Sequence, residues 1–184
     1  MIMEVLGVAG SLRRDSHNRR LLRTAGLLLP PEVRFTEYEQ LKLIPPFDED
    51  DEPAPSLVVA RWREAIEKAD AILFATPEYN SSIPGQLKNA IDWASRPVAS
   101  AALRNKPVAV IGASIGSFGA VWSQAELRKV LGAAGARVID RQVPVSSADE
   151  AFDEAGALTD GDTALELESV LAELLDSARR RLAA

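Results

Sequence analysis

Short, continuous apolar runs recur along the chain and alternate with segments whose apolar residues follow a helical period. The runs cover residues 4–9, 71–76, 107–113 and 137–145, and they are rich in valine and isoleucine. Unbroken apolarity of this kind is typical of strands that are covered on both faces. Residues 33–38 alternate between apolar and polar instead, which predicts a strand at the edge of the sheet.

Five segments between these runs have the apolar spacing of amphipathic helices. The residues predicted to face inward are Leu21, Leu22, Ala25, Leu28 and Leu29; Val58, Trp62, Ala65, Ile66 and Ala69; Ile83, Leu87, Ala90, Ile91 and Ala94; Leu127, Val130, Leu131 and Ala134; and Leu167, Val170, Leu171, Leu174 and Ala178. Ser56 is placed to cap the second helix, and Gly132 or Gly135 to end the fourth. The fifth is predicted over residues 163–182, where three closing arginines suit the negative end of the helix dipole.

Five strands that alternate with five helices predict a parallel sheet with right-handed crossovers. The length of 184 residues fits one domain over residues 1–184. The expected fold is α/β and flavodoxin-like, a three-layer sandwich whose five-stranded sheet has the order 2-1-3-4-5. One long irregular segment, residues 41–55, is rich in proline and acidic residues, and loops of that length are usually functional or mobile.

Composition and charge exclude several classes of function. The 21 Lys and Arg against 27 Asp and Glu give a net charge of −6, which disfavours nucleic-acid binding. No apolar run approaches the ~18 residues that span a bilayer, and no signal-like segment opens the chain, so we expect a cytoplasmic protein without a membrane partner. The absence of cysteine and the single histidine, His17, exclude thiolate chemistry and zinc sites of several histidines. The acidic run at residues 48–52 lacks the ligand alternation of a calcium loop, so no metal site is predicted.

The segment after the first predicted strand combines the features of a phosphate site. It reads Gly10-Ser-Leu-Arg-Arg-Asp-Ser-His-Asn18 and joins a buried strand to a helix, whose N-terminus attracts anions. Ser11, Ser16 and Asn18 add neutral donors and Arg13 adds a fork-shaped cation. The alternative is a capped turn with surface arginines. The spacing matches neither the Walker A loop nor the dinucleotide fingerprint.

Two further loops follow the next buried runs and are predicted at the same edge of the sheet, where open α/β sheets bind ligands. Residues 76–85 form a stiff loop whose backbone can face a flat heterocycle, or only a rigid turn before a helix. Residues 114–119 contain two glycines, which allow the backbone to approach a ligand closely. The three loops together predict a mononucleotide with a ring system, and FMN is the leading candidate.

Three motifs in these loops resemble the NADPH-dependent FMN reductase family, which includes chromate, quinone and azo reductases of the flavodoxin-like fold. They are Gly10-Ser-Leu-Arg-x-x-Ser-x-Asn18, Pro77-Glu-Tyr-Asn-Ser-Ser-Ile-Pro-Gly-x-Leu-Lys-Asn-Ala-Ile-Asp-Trp93 and Gly112-Ala-Ser-x-Gly-x-x-Gly119. The resemblance covers about residues 3–145. It implies that the FMN phosphate is held by Ser11, Arg13, Ser16 and Asn18, that the isoalloxazine is lined by Pro77, Glu78, Tyr79 and Asn80, and that the ring or ribityl chain lies near Ser114, Gly116 and Gly119. It also implies NADPH or NADH as co-substrate and a homodimer or homotetramer.

The resulting hypothesis is an oxidoreductase that passes hydride from NADPH through FMN to quinones, flavins, azo compounds or metal oxyanions in a ping-pong order. No side chain is assigned a catalytic role: Glu78 is interpreted as a loop-positioning residue and His17 as a loop residue at a helix start. One alternative is a flavodoxin-type electron carrier, which Arg13 in the phosphate loop disfavours. Another is a hydrolase using Ser11 or Ser114 with His17, although no Gly-x-Ser-x-Gly elbow is present.

Overall fold

The computed structural model describes residues 2–183, which form a parallel sheet between two layers of helices. The strands are β1 (Met3–Ala9), β2 (Val33–Glu37), β3 (Ala71–Ala75), β4 (Pro107–Ala113), β5 (Arg137–Val138) and β6 (Pro144–Val145). The α-helices are α1 (His17–Leu28), α2 (Leu57–Lys68), α3 (Gly85–Ala94), α4 (Val121–Ala133) and α5 (Gly161–Leu182). None of the helices described is long and apolar enough to cross a membrane.

The strand order is β2-β1-β3-β4-β5, and every strand pair is parallel. This confirms the predicted flavodoxin-like order, with β2 at the edge beside β1. Every residue of β3 and β4 is buried, because helices cover both faces of the central sheet. Continuous apolarity in these runs is therefore the direct consequence of their central position.

Two separate cores lie on the two faces of the sheet. Side chains such as Leu73 and Ile111 pack against α1 and α5 on one face. Their strand neighbours Phe74 and Val110 pack against α2, α3 and α4 on the other. Successive side chains of a strand point to opposite faces, so a strand with two covered faces supplies both cores at once.

The fifth predicted strand is interrupted, which corrects the single run expected over residues 137–145. Both β5 and β6 pair with β4, and the ladder stops between them. Ile139 and Val143 stay buried, whereas Asp140 and Arg141 between them are exposed. Arg141 pairs with Glu166 and Glu173 of α5 at 3.0 and 3.2 Å. Charged side chains are costly to bury between helix layers, so the chain leaves the sheet where they occur.

The helix predictions are confirmed with small differences at the ends. Ser56 caps α2 by accepting a hydrogen bond from the Val59 N–H, and Gly135 follows α4 at φ +89°. Helix α5 begins two residues earlier than predicted, because Asp160 accepts from the Thr163 N–H and caps it there. Leu28, predicted to face inward, is exposed, because α1 ends at this residue and the backbone continues in an extended conformation.

The first part of the irregular segment 41–55 is fixed against α3. The Gln86 side chain donates to the carbonyls of Leu41 and Ile44, and Asn89 bonds both the Pro45 carbonyl and the Phe47 N–H. The acidic residues that follow include a single 3₁₀ turn, Glu49–Asp51. Among the residues described, no three His, Asp or Glu side chains are arranged to hold a metal ion.

Candidate functional site

The three loops singled out in the sequence meet at the carboxyl edge of the sheet. The Gly10 N–H donates to the Ala75 carbonyl at 2.8 Å, which joins the ends of β1 and β3. The Thr76 N–H donates to the Ile111 carbonyl at 2.9 Å, which joins the ends of β3 and β4. Parallel pairing in the order 1-3-4 therefore places the loops after these strands side by side.

Ser11 and Ser16 give the first loop two buried hydroxyls at the N-terminus of α1. The Ser16 oxygen caps the helix by accepting from the Arg19 N–H at 3.3 Å, and the Ser11 oxygen accepts from the Arg13 N–H at 3.4 Å. Within residues 2–183, neither hydroxyl donates to a protein atom, so both O–H groups remain available. Donors at the positive end of a helix form an anion site.

The arginines of this region have different partners. Arg19 and Arg23 both pair with Glu37 of β2, at 2.6 and 3.1 Å, so one carboxylate offsets much of their charge. Arg13 is exposed and its guanidinium donates to the Asp15 carbonyl, which keeps it on the loop. Arg14 is also exposed. Arg13 and Arg14 are thus the cations that the first loop itself carries.

Asn18 is buried at the start of α1 and bonds the end of β4. Its Nδ2 donates to the Ala113 carbonyl at 2.8 Å, and its Oδ1 accepts from the Ala113 N–H at 2.9 Å. The amide predicted for phosphate binding is therefore engaged with the backbone at both its atoms. Asn18 fixes the first loop against the third.

Glu78 in the second loop caps α4, the helix that follows the third loop. Its Oε2 accepts from the N–H groups of Trp122 and Ser123 at 3.1 and 3.2 Å. Ala120, the residue before α4, lies in the left-handed region at φ 60° and has no polar side chain to perform this role. A carboxylate at a helix N-terminus is stabilised by the helix dipole. The interpretation of Glu78 as a loop-positioning residue agrees with this geometry.

The second loop contains a tight hairpin over residues 79–82. The backbones of Tyr79 and Ser82 exchange two hydrogen bonds of 3.0 and 3.1 Å. Asn80 and Ser81 between them have φ of 54° and 60°, as in a two-residue hairpin turn of type I′. The turn leaves Tyr79 and Asn80 exposed, while Pro77 at the base of the loop is buried.

The two glycines of the third loop play different roles. Gly119 is buried at φ +56°, and a Cβ atom there would lie 2.4 Å from the Pro144 carbonyl carbon. Gly116 is exposed, and the nearest atom to its Cβ position is the Ser114 Oγ at 3.5 Å. The Ser114 Oγ accepts from the Gly116 N–H at 3.1 Å and so shapes the turn.

A model of the NADPH-dependent FMN reductase family matches residues 3–150 of the chain. The chain belongs to this family. The NAD(P)H-dependent FMN reductase of Pseudomonas aeruginosa is 44% identical over 186 residues, covering 98% of this chain and 97% of that protein. The 2-hydroxy-1,4-benzoquinone reductase of a Burkholderia species is 39% identical over 130 residues, covering 71% of this chain and 70% of that protein.

Solved structures agree with the family assignment. FerB, a flavoenzyme NAD(P)H:(acceptor) oxidoreductase from Paracoccus denitrificans, superposes with a TM-score of 0.85 and 34% identity, covering 97% of this chain and 98% of its own. A flavodoxin from Pseudomonas aeruginosa, at a TM-score of 0.56 and 16% identity, shares the fold alone. As a member of the FMN reductase family the chain is an oxidoreductase, and membership supports FMN as its flavin and NAD(P)H as its donor.

Two buried polar residues beside the candidate site, Ser123 and Gln124, were not identified from the sequence. The Ser123 Oγ bonds the Pro77 carbonyl at 2.8 Å, and Gln124 bridges the Gly119 carbonyl and the Val143 N–H at 3.0 Å each. Both side chains are fully buried. Their positions could have revealed them, because they are polar residues on the same inward face of the helix as Leu127 and Leu131.

A groove of about 880 Å³ lies away from this edge. It is lined by residues of α3 and α4, such as Ile91 and Val130, and by Asn105 and Arg137 near the amino ends of β4 and β5. None of the predicted FMN-binding residues lines it.

Proposed function

We propose that the chain is a single FMN-binding domain that catalyses the NAD(P)H-dependent reduction of quinones and related acceptors. The observation that carries this proposal is the pair of buried hydroxyls on Ser11 and Ser16, whose O–H groups are unused at the N-terminus of α1. They lie on a loop that contacts the two loops predicted to hold a flat ring. Free flavins, azo compounds and metal oxyanions are further acceptors in the proposal.

The phosphate of FMN fits the first loop. The hydroxyls of Ser11 and Ser16 would donate to its oxygens together with the N–H groups at the helix end. The exposed Arg13 would add a charge-assisted hydrogen bond. Asn18 would serve the site by position, because its amide holds α1 against the Ala113 backbone.

The ring of FMN would lie along the second and third loops. Pro77 and Glu78 form the base of the second loop, and Tyr79 and Asn80 are exposed at its hairpin. Ser114, Gly116 and Gly119 shape the third loop. The close approach of Gly119 to the Pro144 backbone fixes that loop against β6.

The chain's residues would bind and orient the reactants, without a side chain acting as acid or base. When bound, FMN supplies the hydride transfer between donor and acceptor. We propose that donor and acceptor bind in turn at the open edge of the sheet, in a ping-pong order. In this proposal NADPH is preferred over NADH, and the exposed Arg14 would pair with the 2′-phosphate that only NADPH carries.

The assembly in this proposal is a cytoplasmic homodimer or homotetramer. Small-molecule acceptors are its partners, and the net charge of −6 argues against a polyanionic partner such as nucleic acid. Sedimentation velocity on the purified chain measures the assembly directly.

The visible spectrum of the purified protein tests the proposal first. We expect a flavin spectrum, release of FMN on heating, and anaerobic bleaching when NADPH is added. A colourless protein that takes up no added FMN would contradict the binding site. A yellow protein that NADPH does not reduce would favour the electron-carrier alternative. Initial rates at varied donor and acceptor concentrations should give parallel double-reciprocal lines.

A further inference from the structure

Three large apolar side chains on the third loop and in the first turn of α4 are exposed. Ile115, Phe118 and Trp122 are 70%, 63% and 50% exposed, and we name these three residues the aromatic ledge. The rings of Phe118 and Trp122 are in contact, with centroids 4.9 Å apart and planes tilted by 59°. A contiguous exposed apolar patch marks a binding surface more often than does an isolated apolar residue.

The aromatic ledge is continuous with the loops proposed to hold the FMN ring. Ile115 and Phe118 belong to the third loop, between Ser114 and Gly119. The Trp122 N–H donates to the Glu78 carboxylate, which places Trp122 next to the second loop. A ligand on the ledge would therefore lie beside the ring site proposed above.

The two helix N-termini at this edge differ in charge. At α1, the hydroxyls of Ser11 and Ser16 and the guanidinium of Arg13 favour an anion. At α4, the Glu78 carboxylate already occupies the N–H groups of Trp122 and Ser123. A fixed negative charge there opposes a second anion. The phosphate end of the site thus attracts anions, whereas the ledge end favours uncharged ligands.

We propose that the aromatic ledge is the acceptor subsite and selects flat, uncharged ring compounds over metal oxyanions. The proposal rests on the proposed function and assigns its acceptor class to Ile115, Phe118 and Trp122. In the overall reaction a quinone gains the two electrons and one proton of the hydride from NAD(P)H and a second proton from water. The products are the hydroquinone and NAD(P)⁺.

The test compares acceptors in the FMN-loaded protein. Trp122→Ala and Phe118→Ala should raise KM for the bicyclic quinone menadione by about ten-fold, because each removes an aromatic contact. KM for chromate, the oxyanion probe, should change by less than about two-fold. Leu165→Ala is the matched control, since Leu165 is 62% exposed on α5 and lies outside the ledge. It should leave both KM values unchanged.

A charge variant tests whether the negative charge of Glu78 disfavours metal oxyanions. Glu78→Gln keeps an oxygen that can accept from the Trp122 N–H but removes the negative charge. We expect kcat/KM for chromate to rise about two- to five-fold relative to that for menadione, which corresponds to the usual interaction energy between a charge and a helix end. An unchanged ratio would contradict exclusion of anions by Glu78.

Three outcomes with the ledge variants overturn the proposal. Equal KM changes for both acceptors, or no change for either, would show that the ledge does not select the acceptor. A shift of the two ledge variants to a smaller species in sedimentation velocity would make the ledge an interface between copies. In all of these cases anaerobic reduction of bound FMN by NADPH would persist, which distinguishes them from failure of the proposed function.

Discussion

The side-chain amide of Asn18 forms two hydrogen bonds with the backbone of Ala113, 95 positions further along the chain. One bond uses the amide donor and the other its acceptor, at 2.8 and 2.9 Å. The Ala113 peptide lies at the end of β4, where Ala113 is paired with Val145 of β6. This contact makes the first and third loops of the site a single unit.

Replacing Asn18 by alanine should destabilise the protein and weaken FMN binding together. The loss of two buried hydrogen bonds, with the Ala113 groups left unsatisfied, is expected to cost about 2–3 kcal/mol. Urea denaturation measures that loss, and flavin fluorescence titration measures FMN affinity. A variant with weaker FMN binding and unchanged stability would instead indicate direct contact between Asn18 and the phosphate.

Gly119→Ala should be far more damaging than Gly116→Ala. The Cβ atom at position 119 would overlap the Pro144 backbone, and its φ of +56° is unfavourable for alanine. We expect a loss of about 3 kcal/mol or more in the free energy of unfolding. Gly116→Ala has open space and should change stability by less than about 1 kcal/mol. Equal thermal denaturation midpoints for the two variants would refute this reading of the third loop.

Arg13→Ala should weaken the binding of FMN but not that of riboflavin, which lacks the phosphate. A charge-assisted hydrogen bond is worth about 1.5–3 kcal/mol, so the Kd for FMN should rise roughly 10- to 100-fold. Arg180→Ala, at an exposed position of α5, is the control and should leave both affinities unchanged. An equal loss for FMN and riboflavin would mean that Arg13 acts on the ring or on the loop.

Lys106 should make stability rise with pH above about 8. Burial, together with a smaller contribution from the nearby Arg181, lowers the pKa of Lys106 from 10.5 to about 8. Its Nζ donates to the Glu67 and Ala69 carbonyls at the end of α2. The folded protein loses this proton near pH 8, whereas the unfolded chain keeps it up to about pH 10.5. The unfolded state therefore binds more protons between these two pH values, and the free energy of unfolding rises with pH across that window.

Urea unfolding between pH 7.5 and 10.5 measures this slope. Lys106→Met should remove it, and Lys129→Met, at an exposed position of α4, should retain it. The same slope in the wild type and in Lys106→Met would assign the pH dependence to other groups.

Much of the fold could be predicted because its signals are local. The buried runs at 71–76 and 107–113 identified the two central strands, and the inward residues of α5 were identified by their period. The exception is the fifth strand, where Arg141 leaves the sheet to pair with α5. A run that reads as mostly apolar does not show which of its polar residues has a partner elsewhere.

The candidate site was likewise predictable only in part from the sequence. The sequence by itself determined which residue types stand after each strand, and parallel pairing of those strands then brings the three loops to one edge. Only the tertiary structure decided what each side chain bonds. It engaged Asn18 with Ala113, placed Glu78 on the N-terminus of α4, and buried Ser123 and Gln124 beneath the loops. Strand and helix periods arise from neighbouring residues, whereas these hydrogen bonds join groups that meet only when the helices pack against the sheet.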